Sequence, residues 1–196
     1  MSDLCHIVDN YSVININLFI EILYNIQYMI NKEYKTQNFN IREFWNEAED
    51  GAMPQDIFDN IVFTMECAQK IRTKFGKSLR VNCGWRAPAH NARIGGSKTS
   101  AHLTGSAVDF EGPTKQDNDE LGALIVKMVK SGEIPCDQLI FEEFVSPDGF
   151  AWIHYSPKKD ATTPPRNQFM IAEGKRPNFK YSVITPELAK KYSIEL

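Results

Sequence analysis

The sequence predicts an α+β domain whose central antiparallel sheet is flanked by helices. Two long stretches carry apolar residues at helical spacing, and several short stretches alternate apolar with polar residues as strands do. The elements follow one another as helix, strand, helix, strand, strand, an order that favours α+β over a parallel α/β sheet. The length of 196 residues suits one main domain with an appendage.

The appendage is predicted to be an N-terminal helical extension over residues 1–36, and residues 37–196 then form the main domain. The spacing of apolar positions predicts a helix over 12–33, and a polar stretch follows it like a linker. Such spacing is more typical of core packing, and docking or oligomerisation is the alternative role for this helix. Asparagine, glutamine and glutamate interrupt its apolar run, so we expect no membrane span.

Turn and cap signals predict the elements of the main domain in chain order. Pro54 and Gly76 bracket a helix with one apolar stripe, and a strand over 79–83 follows. Asn118 is the expected cap of the next helix, and the last helix begins at Thr185. The other strands are predicted at 106–110, 138–143, 151–155, 168–172 and 179–184.

Composition and charge exclude some classes of function. The chain is 42% apolar and 24% charged, as ordinary globular proteins are, and its net charge is −3. It therefore offers no basic surface, and we expect no nucleic-acid partner. Its 4 cysteines lack a short C-x-x-C spacing and are interpreted as reduced thiols. Nothing in the composition fixes an oligomeric state.

Two histidines and one aspartate form a candidate metal site. His102 precedes Gly105 on a glycine-rich loop, and Asp109 and His154 lie on two predicted strands. Alternate residues of a strand share a face, so Asp109 and His154 can point to the same side of a sheet. Two imidazoles and one carboxylate leave a fourth position for water, which is typical of catalytic zinc. Zinc in such a site lowers the pKa of that water and polarises a carbonyl.

A hydrolase of this kind also needs a general base and a substrate clamp. Strand parity favours Glu142 as the base, and a bulge at the strand end would favour Glu143 instead. Arg86 follows a predicted strand, and its planar guanidinium suits a substrate carboxylate or a developing oxyanion. Ser100, two residues before His102, is a candidate to hydrogen-bond the substrate or to orient a ligand.

The glycine-rich segment resembles a known family pattern. Residues 83–109 read CGWRAPAHNARIGGSKTSAHLTGSAVD, which is similar to S-G-Y-R-S-P-x-x-N-x-x-x-G-G-x-x-x-S-x-H-x-x-G-x-A-x-D of the zinc D-Ala-D-Ala peptidases. Those enzymes share their fold with the Hedgehog signalling domain. DQLIFE from Asp137 and WIHYS from Trp152 resemble the second half of the pattern, so the resemblance covers about residues 38–156. The chain resembles the single-domain version of this family that is common in phage and bacterial genomes.

The resemblance implies a Hedgehog/DD-peptidase-like fold with a zinc cleft. It implies that His102, Asp109 and His154 bind Zn²⁺ and that a glutamate before the last histidine is the base. It also implies that Arg86 and Ser100 hold the substrate. Members of the family cleave peptide bonds in the stem peptides of peptidoglycan, as carboxypeptidases or endopeptidases, and several are phage lysins. The expected function is therefore that of a zinc metallopeptidase with bacterial peptidoglycan as its substrate.

The sequence departs from the family pattern near the site. Cys83 and Trp85 stand where serine and tyrosine are usual, and neither is an expected ligand. Many relatives carry the glutamate three or six residues before the last histidine, where this chain has Ala151 and Asp148. Glu142 matches the strand motif instead, and Asp148 is a rival base.

The alternative function is a non-catalytic, zinc-containing module of the same fold. Such a module would serve in binding or as a structural part of a virion. The N-terminus lacks the basic region and the cleavage site of a signal peptide. We therefore expect a protein made in the cytoplasm that reaches the bacterial cell wall by another route. A phage-encoded lysin or a virion-associated enzyme would meet this expectation.

Overall fold

The computed structural model describes residues 3–145, 149–158, 163–174, 178–192 and 194. The chain divides into two compact units, and the boundary along the sequence lies between Tyr34 and Lys35. The helices are α1 (Asp3–Lys32), α2 (Ile41–Phe44), α3 (Glu47–Asp50), α4 (Gln55–Phe75), α5 (Pro88–Arg93), α6 (Lys115–Lys130) and α7 (Pro186–Lys191). The strands are β1 (Arg80–Cys83), β2 (Val108–Glu111), β3 (Gln138–Val145), β4 (Gly149–Ser156), β5 (Gln168–Glu173) and β6 (Lys180–Val183).

The first unit is essentially the helix α1. It begins well before the predicted residue 12, because Leu4, Ile7 and Val8 continue the helical spacing towards the N-terminus. Large apolar side chains between Ile16 and Ile30 are 46–61% exposed, so they are not the buried core positions that such spacing usually marks. A search of the described helices for a segment able to cross a membrane finds none.

The second unit is built on a six-stranded sheet in the order β1-β2-β4-β3-β5-β6. The predicted antiparallel pairing is confirmed at four of the five strand contacts in the described sheet, and the exception is β5, which runs parallel to β3. Gln138 at the start of β3 pairs with both Ser156, where β4 ends, and Gln168, where β5 begins. The chain therefore returns to the same end of β3 on its other side, which makes β5 run in the direction of β3. Strand spacing along the sequence does not reveal this choice of neighbour.

One face of the sheet forms the hydrophobic core. Its side chains are fully buried, and they include Phe110, Leu139, Phe141, Ile153 and Tyr155. Helices α6 and α4 cover this face. Gly122 of α6 lies so close to the Phe141 ring that an added Cβ would overlap it, and α4 contributes the buried side chains of Ile61, Met65 and Ile71. Each large side chain buried in this way contributes about 1.5–3 kcal/mol to the free energy of unfolding.

The helix α6 begins earlier than predicted. Its N-cap is Thr114, whose hydroxyl accepts from Asp117 N while the Asp117 carboxylate accepts from Thr114 N, a reciprocal capping box. The prediction of Asn118 as the cap is therefore wrong. Asn118 lies inside the helix at 1% exposure, where its amide donates to the carbonyls of Phe150 and Ala151. It ties the start of α6 to β4, which helps to fix the strand that carries His154.

Other boundaries agree with the predictions. The helix α4 ends at Gly76, which adopts the left-handed conformation at φ 74° that glycine favours. The helix α7 begins after Thr185, whose hydroxyl accepts a hydrogen bond from Leu188 N. These ends are set by local chemistry, and for this reason the sequence is sufficient to predict them.

Candidate active site

The candidate ligands His102, Asp109 and His154 converge on the face of the sheet opposite the core. Asp109 of β2 and His154 of β4 are register partners, and His102 lies in a 3-10 turn over Ala101–Thr104. Their exposures are 1%, 3% and 6%. Asp109 Oδ1 lies 3.1 Å from His102 Nε2 and 2.8 Å from His154 Nδ1, and the two nitrogen atoms are 3.1 Å apart. Three donor atoms therefore form one small buried triangle.

The His102 ring is oriented by the strand that precedes it. Its Nδ1 donates to the Gly84 carbonyl at 2.6 Å, which leaves the Nε2 lone pair directed at Asp109 and His154. Position 84 requires glycine for a separate reason, because a Cβ there would overlap the Phe44 carbonyl oxygen. Arg86 N also donates to the His102 carbonyl at 3.1 Å. The ring and the backbone of His102 are thus both fixed by residues 84–86.

Burial and the mutual contacts set the charges of this triangle. Burial is the main cause that lowers the pKa of His102, and it outweighs the opposite pull of Asp109. For Asp109, burial would raise the pKa, but the interactions with His102 and His154 hold the pKa well below its usual range. The site therefore combines an ionised carboxylate with a neutral His102 imidazole, the forms that bind a metal ion.

The donor set fits a zinc ion. Zinc takes imidazole nitrogen and carboxylate oxygen at roughly 2.0–2.2 Å, and tetrahedral ligands at that distance lie roughly 3.3 Å apart. The edges of 2.8–3.1 Å in the triangle are close to that separation. Two further potential ligands lie near the triangle. The ligand atoms of Glu142, Asp109 and His154 lie within 4.8 Å of one another, and so do those of Cys83, His102 and Asp109.

Glu142 lies on the same side of the sheet as the triangle. It is 4% exposed on β3, opposite Trp152 of β4, and it lines the cleft. The β3–β4 register runs from Gln138 to Val145 without an inserted residue, so Glu142 keeps the parity that the sequence predicts. Glu143 is half-buried at φ 55° and does not belong to the cleft lining. The rival Asp148 lies outside the described residues.

Arg86 and Ser100 form one wall of the cleft beside the triangle. Arg86 is 6% exposed, and its Nη2 donates to Ser100 Oγ at 3.2 Å. Ser100 Oγ also accepts from His102 N at 3.4 Å. Within the described parts of the chain, no acceptor lies in hydrogen-bonding range of Arg86 Nε. A buried guanidinium with a donor to spare can take an anionic group of a ligand.

The cleft continues from Arg86 across the sheet, and its whole volume is about 360 Å³. Ile140 of β3 pairs with His154 on one side and with Met170 of β5 on the other, so these side chains form a row along its floor. The far wall is formed by Arg166, Met170, Phe179 and Tyr181. Arg166 is held in place by Asp137, to which its Nε and Nη2 donate at 2.8 and 2.6 Å.

Sequence reasoning misses this far wall, because its residues lie outside the family pattern. Alternation in the predicted strand 168–172 puts Met170 on one face, but only the β3–β5 pairing brings that face to the cleft. Of the two histidines outside the predicted site, His90 is described and does not join it. His90 contacts Asp50 Oδ1 at 2.9 Å and Glu49 Oε2 at 3.0 Å, and the side chain of His6 lies outside the described residues.

Comparison with known proteins identifies the family of the chain. Among curated proteins, none matches this chain. A family model described as Peptidase M15 matches residues 29–143, a segment that includes Arg86, Ser100, His102, Asp109 and Glu142. His154 lies beyond that segment and enters the site through the pairing of β4 with β2. The match covers more than half of the chain, and the protein therefore belongs to the peptidase M15 family of metallopeptidases.

Proposed function

We propose that the protein is a zinc metallopeptidase that hydrolyses peptide bonds in the stem peptides or cross-links of bacterial peptidoglycan. The observation that carries this proposal is the buried triangle of His102, Asp109 and His154 beside Glu142, in a cleft open to a ligand. Membership of the peptidase M15 family supports the reaction class. The proposed site of action is the bacterial cell wall, reached as a phage-encoded lysin or a virion-associated enzyme.

His102 Nε2, Asp109 Oδ1 and His154 Nδ1 would hold the ion. Zinc bound there would supply Lewis acidity towards the scissile carbonyl and would make a water molecule more acidic. The chain prepares these ligands in advance, since the Gly84 carbonyl fixes the His102 tautomer and strand pairing fixes Asp109 against His154. A site oriented by the backbone in this way loses little entropy when it binds its ion.

Glu142 is proposed as the general base. It takes a proton from the attacking water and returns that proton to the nitrogen of the leaving amine, so one carboxylate serves both halves of the hydrolysis. Its burial on the cleft floor and its position within 4.8 Å of the ligand atoms of Asp109 and His154 support this role. Glu143 lacks such a position, because it does not line the cleft.

Arg86 and Ser100 are proposed to bind the substrate. The Arg86 guanidinium is buried, and a carboxylate that reaches it forms a charge-assisted hydrogen bond shielded from water. The Ser100 hydroxyl holds the guanidinium by accepting from Nη2 and keeps its own proton for a substrate oxygen. The pair therefore supports recognition of a free carboxylate on one side of the scissile bond.

Zinc analysis and digestion of purified peptidoglycan test this proposal. We expect one zinc ion per chain, and digestion that releases amino groups in the absence of a chelator and stops in its presence. Mass analysis of the fragments identifies the bond and separates a carboxypeptidase from an endopeptidase. A zinc-loaded protein that cleaves neither cell wall nor stem peptides would favour the non-catalytic module, and a protein without affinity for zinc would refute both functions.

A further inference from the structure

The helix α1 carries a broad exposed apolar face outside the peptidase site. Ten large apolar or aromatic side chains between residues 16 and 30 are 46–61% exposed, and Tyr24 lies apart from the other nine, which are Ile16, Leu18, Phe19, Ile20, Ile22, Leu23, Ile26, Met29 and Ile30. At 100° per residue these nine fall within an arc of roughly 200°, here called the α1 apolar face. The opposite arc holds Tyr24 and the polar residues Glu21, Asn25 and Lys32. The helix is therefore amphipathic, with its apolar side exposed.

The area of this face is larger than a monomer normally exposes. A large side chain offers roughly 200 Å² in all, so nine of them at about half exposure present on the order of 1,000 Å². The largest apolar patch of a typical monomer is roughly 300–600 Å². A stable interface buries roughly 800 Å² on each partner, which the α1 apolar face alone can supply.

The charge of α1 argues against a membrane surface or a charged partner as the occupant. Helices that lie on anionic membranes carry lysine and arginine along their polar face. The polar arc of α1 between residues 16 and 32 carries one acidic residue, Glu21, and one basic residue, Lys32. Without a charge pattern to select a different partner, an apolar face of the same kind is the best complement.

The spacing within the face suits pairing with an identical helix. Ile16, Ile20, Leu23, Gln27 and Ile30 follow one another at alternating intervals of four and three residues, the repeat of a coiled-coil seam. Gln27 is the polar member of this seam, and its amide donates to Asn31 Oδ1 at 2.8 Å. A single polar residue in a seam fixes the register between identical helices.

We infer that α1 is a self-association helix, through which two or more copies of this chain join by their α1 apolar faces. The occupant of the face is thus the α1 helix of another copy. The association is separate from the peptidase site, because residues 16–28 precede the segment matched by the family model. Association would present more than one peptidase unit to a polymeric substrate, which raises avidity without any new contact at the cleft.

Sedimentation velocity on the full chain tests the inference. Wild type should sediment with a mass of at least twice 22.4 kDa at micromolar concentration. Leu23→Asp places a charge at the centre of the seam and should return the mass to that of one chain. Asn25→Asp adds the same charge on the polar arc and should leave the association intact. Neither variant should change the zinc content.

A cysteine variant provides a second test of self-association, which is needed if Leu23→Asp disrupts the helix α1 itself. Residue 23 is the midpoint of the face from Ile16 to Ile30, so it meets its counterpart in either orientation of two helices. Leu23→Cys should form a crosslinked dimer under mild oxidation, well above the levels of wild type and of Asn25→Cys. A single-chain mass for wild type up to about 100 μM, the same crosslinking in both cysteine variants, or a monomer that co-sediments with phosphatidylcholine vesicles would overturn the inference.

Discussion

The two walls of the cleft differ in how deeply they are buried. The first wall is here Arg86 and Ser100 together with the triangle of His102, Asp109 and His154, and the second wall is the far wall. Arg86, His102, Asp109 and His154 on the first wall are 1–6% exposed, and each is tied by hydrogen bonds to its neighbours. On the second wall, Tyr181 is 51% exposed and the Arg166 side chain is 47% exposed, at the edge of the sheet formed by β5 and β6. Under the proposed function, the buried first wall would perform the chemistry, which needs fixed atoms, and the more exposed second wall would contact the substrate chain.

Loss of a ligand on the first wall should have the largest effect. His154→Ala removes one of the three proposed ligands, and we expect a loss of more than about 10⁴-fold in activity because Lewis acidity and water activation would disappear together. Zinc content measured by mass spectrometry should fall in parallel. His90→Ala removes a histidine that does not line the cleft, and it should retain one zinc per chain. Full zinc binding by His154→Ala would show that the ligand set is different.

Removal of the proposed base should reduce turnover without releasing the metal. For Glu142→Gln we expect kcat to fall by about 10²–10⁴-fold, since the amide cannot accept the proton, while zinc remains bound. The matched variant Glu143→Gln lies outside the cleft lining and should keep wild-type activity. Wild-type hydrolysis by Glu142→Gln would transfer the role to Glu143 or Asp148.

A pair of variants compares substrate binding on the two walls. Arg86→Lys keeps the charge but loses the planar fork, and we expect KM for a substrate with a free carboxylate to rise about 10–100-fold. Tyr181→Ala removes an exposed contact on the second wall and should raise KM by about two- to fivefold. Val183→Ala on the same strand, also exposed but outside the lining, serves as the control. Equal effects of Arg86→Lys and Tyr181→Ala would contradict the contrast between the walls.

The buried wall should also make the metal-free protein sensitive to acid. The pKa of His102 is lowered in the folded state by burial, so below about pH 6.5 the unfolded chain takes up a proton that the folded chain refuses. Stability after chelation should therefore fall on acidification, by up to about 1.4 kcal/mol per pH unit. Asp109 acts in the same direction at lower pH, because its folded-state pKa is lowered as well. Urea denaturation at pH 7 and pH 5 measures the difference, and a more stable protein at pH 5 would contradict it.

The two walls also differ in how far the sequence can predict them. Alternation within a strand is fixed by the backbone, and so parity is sufficient to put Asp109, Glu142 and His154 on one face. The family pattern adds His102, Arg86 and Ser100 in order along one loop. The order of strands in a sheet depends on long-range packing, and for this reason neither the parallel β5 nor the wall at Arg166 follows from local pattern.

Local competition explains the smaller errors. Thr114 and Asp117 satisfy each other as a cap, which leaves Asn118 available for a buried role that its propensity for caps does not reveal. The helix α1 shows the same limit in another way. Its apolar spacing predicts a helix correctly, but spacing alone does not distinguish a face covered by the chain's own core from one left exposed.

The position of β4 between β2 and β3 has a consequence for the order of assembly. The strands β3 and β4 are separated by three residues in the sequence, whereas Asp109 and His154 are 45 residues apart. Pairings between distant segments pay a larger loop-closure entropy and form more slowly than local ones. During refolding, the β3–β4 hairpin should therefore form first and dock onto β2 as a unit. The capacity to bind zinc would arise at that docking step. The rate of zinc binding during refolding would therefore report the rate at which the hairpin docks onto β2.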